Sequence, residues 1–168
     1  MKIVKIILVT LLLVMYTSIG TAQTSPETSG QSAVLMDGKN NRILYEHNGR
    51  EKLPMASTTK IMTAIVALEY GKLDEKIIIP AEASGIEGSS IWLSTGEEHT
   101  LEDLLYGLML RSGNDAATAI AIHIGGSIEG FAAMMNQTAK KIGAKDTHFI
   151  NPHGLHHDKH YTTAYDLA

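Results

Sequence analysis

The sequence predicts a mixed α/β fold, and three observations carry that reading. Two short β-favouring runs flank a cluster of turn formers at residues 37–41, and a third such run closes on Pro80. From Thr100 onward the apolar residues recur at helical spacing, punctuated by caps and glycines. The chain has 168 residues, 44% hydrophobic and 19% charged, which suits one unit with a real core. Its formal net charge of -4 supplies no basic footprint, so nucleic acid is not expected as a partner. Cysteine is absent, which removes disulfides and cysteine-ligated zinc.

The elements follow in chain order. Lys2 and Lys5, an apolar run at 6–15 broken only by Thr10, and the small residues Gly20-Thr21-Ala22 read as a secretory signal peptide over 1–22. The apolar run is shorter than the roughly 20 residues that span a bilayer, which argues against a retained anchor. A secreted, extracytoplasmic protein is therefore expected, with its mature chain starting near Gln23 and a flexible leader over 23–31. Residues 32–36 and 42–46 form a β-hairpin. A helix starts at Ser57 and runs to about Tyr70, where Gly71 stops it. Residues 76–79 form a short strand and 82–96 a loop, in which Trp92 is expected to serve simple packing.

Thr100 caps the next helix, with Asp103 completing a capping box and Leu101, Leu104, Leu105 and Leu108 on one face. A break at 111–114 precedes an Ala/Ile-rich helix over 115–124, too apolar for a surface position, which ends at Gly125-Gly126. Ser127 opens an amphipathic helix that stops at Gly143. Residues 147–150 are briefly extended, 151–154 turn, and Thr162 or Thr163 caps a last helix.

Two motifs could carry chemistry. Ser57 and Lys60 lie three apart at the mouth of an apolar helix, where neighbouring positions bring an amine to a hydroxyl. Serine needs a base to take its proton. Lys60 serves only when neutral, and moving a lysine from about 10.4 to near 7 requires about 4–5 kcal/mol. A helix N-terminus contributes about 2 kcal/mol at most, so burial or other cations must add the rest. A capping serine beside a snorkelling lysine explains the same spacing. Ser112 and Asn114 sit on a tight interhelical turn, with Gly113 permitting close approach. A hydroxyl there can relay a proton and an amide can hold a peptide, although a helix stop followed by an Asn cap has the same appearance.

Together S-x-x-K and S-x-N resemble the signature of penicillin-binding proteins and serine β-lactamases. The text MASTTKIMTA, GEEHTLEDLLYGLMLRSGNDAATAIA, NPHGL and HYTTAYDLA resembles the low-molecular-mass D-alanyl-D-alanine carboxypeptidases over residues 31–168. The resemblance implies the serine β-lactamase/DD-transpeptidase-like fold, a helical lobe beside an incomplete antiparallel sheet, with 32–168 as the N-terminal part of a catalytic domain. It implies Ser57 as the acylated nucleophile, Lys60 as general base, Ser112 in proton transfer and Asn114 in substrate positioning. The implied activity is removal of the terminal D-alanine from peptidoglycan stem pentapeptides. Stem peptides and β-lactam antibiotics are then the expected partners, with no cofactor.

One departure from the family pattern is serious. The third motif, K-T-G, occurs nowhere in the sequence. In the family it lies downstream of S-x-N on a cleft strand, so the natural chain is expected to continue past Ala168, and 168 residues alone are expected to be inactive. A membrane-associating C-terminal segment, usual in the family, would also lie there. Of the histidines at 148, 153, 156, 157 and 160, His153 and His156 have ligand-like spacing. They lack a supporting carboxylate set beyond Asp158, and no metal is expected. Two other functions remain open, a β-lactamase and a non-catalytic cell-wall-binding piece of the same fold; S-G-N in place of S-D-N favours the carboxypeptidase.

Overall fold

The computed structural model describes residues 26–168, so the expected signal peptide and the start of the leader lie outside the described residues. Strands β1 (Ala33–Asp37) and β2 (Arg42–His47) form the expected antiparallel hairpin. Asp37 organises its turn, the carboxylate accepting from the Lys39 N–H at 2.9 Å and the carbonyl from the Asn41 N–H at 2.8 Å. Leu35 faces Tyr45 while Met36 faces Ile43, leaving Leu44 as the extra residue of a bulge.

Helix α1 (Thr59–Tyr70) is entered through a single 3-10 turn, Ala56–Thr58, so Ser57 lies on that turn and not in the α-helix itself. Gly71 ends α1 as expected, but for a different reason. Its backbone is extended, with φ -100°, and a Cβ there would come within 2.5 Å of Leu101 Cδ2. Close approach of the next helix, not a left-handed turn, demands glycine.

Strand β3 (Lys76–Ile78) pairs antiparallel with β4 (Glu98–Thr100), a strand the sequence reading did not assign. Thr100 then caps α2 (Leu101–Arg111) through the full reciprocal box with Asp103. Helix α3 (Asn114–Gly125) follows, and α4 (Ile128–Ile142) starts on the Ser127 hydroxyl, which accepts from the Gly130 N–H at 2.9 Å. A last turn, α5 (Ala164–Leu167), is capped by Thr163 and rests against β1.

The core gathers around α3. Ala116, Ala117, Ala119, Ile120 and Ala121 are all buried, and their small side chains let α1, α2 and α4 approach closely. Val66 from α1, Leu104 and Leu108 from α2, and Phe131 and Met135 from α4 fill the space between them, with Ile77 and Ile79 closing one side. Each such aliphatic or aromatic side chain contributes about 2 kcal/mol on burial. The result is a rigid helical lobe from which the Ser57 turn and the α2–α3 turn project.

Candidate active site

Lys60 lies in the first turn of α1 and is only 3% exposed, while Ser57 on the preceding 3-10 turn is open to solvent. The Lys60 ammonium donates to Asn114 Oδ1 at 2.7 Å, to the His153 carbonyl at 2.8 Å and to Ser57 Oγ at 3.3 Å. Burial pulls its pKa from 10.5 down to about 8, which supplies most, though not all, of the bias that the helix terminus alone could not. An amine within hydrogen-bond reach of the serine, and close enough to neutrality to lose its proton, is a chemically competent base.

Ser112 closes α2 in the left-handed region, with φ 58° and ψ 34°. A serine there costs about 1 kcal/mol relative to ordinary backbone. The strained turn aims its hydroxyl across the cleft, where it donates to Ser57 Oγ at 3.1 Å. Ala56, beside Ser57, is also left-handed at φ 46°. Both hydroxyl-bearing turns thus carry backbone strain at the point where they meet, a pattern common to functional sites.

Asn114 opens α3 and is held at both ends of its amide. Its Oδ1 faces Lys60, its Nδ2 donates to the Glu87 carbonyl at 2.6 Å, and its backbone N–H donates to the Ser89 carbonyl at 2.8 Å. Asp115 then anchors the loop that supplies those carbonyls. It is 1% exposed, and its carboxylate accepts from the Ser90 hydroxyl at 2.6 Å and from the N–H groups of Ile91, Leu93 and Ala116. Burial would raise its pKa, but these hydrogen bonds outweigh burial and hold the carboxyl below its usual range.

The NPHGL turn forms the floor. Asn151 Oδ1 accepts from the Gly154 N–H at 2.7 Å, and Thr63 Oγ1 donates to the Pro152 carbonyl at 2.6 Å, which presents the His153 carbonyl to Lys60. Gly154 has φ +90°, and a Cβ there would fall 1.9 Å from the Ala56 carbonyl oxygen. Glycine is therefore required where this turn slides beneath the Ser57 turn.

His160 is buried; its Nδ1 accepts from the Ile150 N–H at 3.0 Å, so its Nε2–H donates to Thr59 Oγ1 at 2.8 Å. Burial first, then nearby positive groups, pushes both His153 and His160 down to about 4. His156 is exposed, 3.6 Å from Asp158. Among the described residues, no group of three or more His, Cys, Asp or Glu is placed to hold a metal ion.

The four sequence-predicted residues, Ser57, Lys60, Ser112 and Asn114, thus meet at one point. Sequence reasoning missed Asp115, the Glu87 carbonyl and the His153 carbonyl. Only Asp115 left a signal, as a carboxylate within an otherwise apolar helix. Trp92 requires a correction: it packs against little, being 85% exposed with φ 64°. The burial of its neighbours Ile91 and Leu93 leaves its side chain no inward direction.

Comparison with known proteins bears on this geometry. The family model described as D-alanyl-D-alanine carboxypeptidase matches residues 19–168. The chain is 43% identical over 143 residues to D-alanyl-D-alanine carboxypeptidase DacF of Bacillus subtilis, covering 82% of this chain and 37% of that protein. It is 37% identical over 155 residues to DacC of Escherichia coli, covering 86% and 39%. The chain therefore spans less than two-fifths of the length of either relative. Among solved structures, DacD of Francisella tularensis superposes with a TM-score of 0.81 at 39% identity, over 86% of this chain and 36% of that one. Penicillin binding protein 5 of Haemophilus influenzae gives 0.81 at 32% identity, over 86% and 44%. The expected serine β-lactamase/transpeptidase type of fold is thereby borne out, in a mixed α/β arrangement of a helical lobe with small antiparallel sheets. Matched along nearly all of its length by one family model, and at this level of identity by proteins of that family, the chain belongs to the D-alanyl-D-alanine carboxypeptidases.

Proposed function

We propose that the protein is a serine-type D-alanyl-D-alanine carboxypeptidase that trims peptidoglycan stem pentapeptides outside the cytoplasm, and that residues 32–168 form part of its catalytic domain. The observation that carries this reading is the position of the Lys60 amine, shared between Ser57 Oγ and Asn114 Oδ1. Neutral Lys60 takes the Ser57 proton as Oγ adds to the carbonyl of the penultimate D-alanine. The tetrahedral adduct collapses, breaking the peptide bond; the Ser112 hydroxyl gives its proton to the departing amine of the terminal D-alanine and regains one from protonated Lys60, which returns to its neutral form. Asn114 holds the acyl chain that remains. Water then attacks the Ser57 ester, releasing the shortened peptide and restoring the hydroxyl. A β-lactam presents a strained amide to the same hydroxyl and leaves Ser57 as a slowly cleared ester.

The test is direct. Fluorescent penicillin labels the full natural chain, with its K-T-G strand, and Ser57→Ala abolishes the label. Release of D-alanine from a D-alanyl-D-alanine peptide outpaces hydrolysis of penicillin. Faster turnover of penicillin than of the peptide establishes the β-lactamase reading instead, and absence of label on the full natural chain establishes a non-catalytic role.

A further inference from the structure

Asp115 is the one buried carboxylate among the described residues, and none of its hydrogen bonds reaches Ser57, Lys60 or Ser112. Both of its oxygens accept. Oδ2 takes the Ser90 hydroxyl at 2.6 Å and the Leu93 N–H at 3.0 Å, Oδ1 takes the Ala116 N–H at 2.9 Å, and the Ile91 N–H is shared between them. The loop held in this way lies directly against Asn114. Gly88 has φ +91°, and a Cβ there would fall 2.8 Å from Asn114 Nδ2. The Glu87 carbonyl meets the same nitrogen at 2.6 Å, and the Ser89 carbonyl takes the Asn114 backbone N–H at 2.8 Å. On the other side, a Cβ on Gly113 would fall 2.8 Å from Asp115 Oδ1. Glycine stands at both places because main chain, without a side chain, must fit against these two groups.

A side-chain amide can sit in either of two senses, and here the sense matters. With Nδ2 on the Glu87 carbonyl, Oδ1 is left for the Lys60 amine at 2.7 Å. Turned over, the amide would set oxygen against oxygen at Glu87 and nitrogen donor against nitrogen donor at Lys60. The Glu87 carbonyl thus decides which atom the amine meets, and Asp115 decides where that carbonyl lies. Resting on the reading in which Lys60 activates Ser57, we infer that Asp115 is a positioning residue for acylation: it locks loop 87–93 and, through it, the sense of the Asn114 amide. It does so as the ionised carboxylate, since only that form accepts at both oxygens without presenting a proton of its own.

Asp115→Asn keeps the shape but turns one acceptor oxygen into a donor, so the loop loses part of its hold whichever way the new amide sits. Acylation by fluorescent penicillin is followed from pH 6 to 9.5 in the full natural chain, with Met135→Ala, a core cavity on α4, as the measure of a merely structural lesion. In Asp115→Asn the plateau rate is expected to fall about tenfold or more, the effect of a misplaced reacting group. The midpoint of the profile is expected to drop by about half a pH unit or more, because an ammonium that loses an acceptor gives up its proton more readily. Ser90→Ala removes one of the carboxylate's partners; it moves both quantities in the same direction by less, and carries the test if Asp115→Asn does not fold. Met135→Ala lowers the urea midpoint and leaves the pH midpoint in place. An unmoved pH midpoint in the folded Asp115 and Ser90 variants, even with a slower rate, overturns the positioning role and leaves the carboxypeptidase reading intact. An equal shift in Met135→Ala does the same. An unaltered chain that penicillin does not acylate overturns both.

Discussion

The Lys60 ammonium sits nearer to Asn114 Oδ1, at 2.7 Å, than to Ser57 Oγ, at 3.3 Å. The amide therefore sets where the Lys60 amine points and does so without adding charge. Asn114→Asp keeps the shape but puts a carboxylate against the amine, favouring the cation. We expect acylation by penicillin at pH 7 to fall about tenfold or more, since each unit added to the lysine pKa removes about tenfold of the neutral amine. The pH profile of acylation should move upward with it, which a merely structural lesion would not produce.

In the unaltered protein Lys60 is about 90% protonated at pH 7, given a pKa of about 8. Acylation is expected to climb nearly tenfold per pH unit below 8 and to level off above it. Rates of penicillin acylation measured between pH 6 and 9.5 check this; a flat profile removes Lys60 as the base. The same burial bears on stability. The folded-state pKa lies below the unfolded value of 10.5, so the unfolded chain holds the extra proton between these limits, and stability gains from Lys60 as pH rises from about 8 toward 10.5.

Gly154→Ala tests how the NPHGL turn supports Ser57. A methyl group would meet the Ala56 carbonyl in a left-handed position, so either the turn or Ser57 must move. We expect a loss of about 2–4 kcal/mol in urea unfolding. Penicillin labelling of the molecules that remain folded should fall with it. An unchanged label in a fully stable variant would mean that the two turns are independent.

His153 and His160 should make the fold acid-sensitive. Both have folded-state values near 4, against 6.5 for an ordinary histidine, so the unfolded chain binds protons first. Their contribution is complete above pH 6.5 and is lost as pH falls toward 4, by about 3 kcal/mol each at most. His160→Gln can keep the bonds to Thr59 and the Ile150 N–H without titrating. Urea midpoints from pH 7 to 4 should then show a clearly shallower decline in the variant.

Much of this was written in local chemistry. Thr100 with Asp103, Ser127 and Gly143 marked helix ends because capping is decided within four residues. Ser57 and Lys60 were legible as a pair because three positions make one helical turn. What escaped depends on partners far along the chain. Strand β4, Glu98–Thr100, has little β preference of its own and exists because Lys76–Ile78 lies beside it. The two main-chain carbonyls that steady Lys60 and Asn114 belong to His153 and Glu87, whose side chains announce nothing about them. Trp92 defeated a sound expectation about aromatic burial because its neighbours, not its own hydrophobicity, decide which way it faces.

The hydrogen bond from Lys60 to the His153 carbonyl joins positions 93 residues apart, and that from His160 to Thr59 joins positions 101 apart. Closing loops of that length costs chain entropy that the local helix pairs do not incur. During refolding, α3 and α4 can associate early, while the amine gains its full set of acceptors only when the distal turn arrives. Capacity to react with penicillin should therefore appear later than helical circular dichroism, so the reactive centre marks the completion of folding.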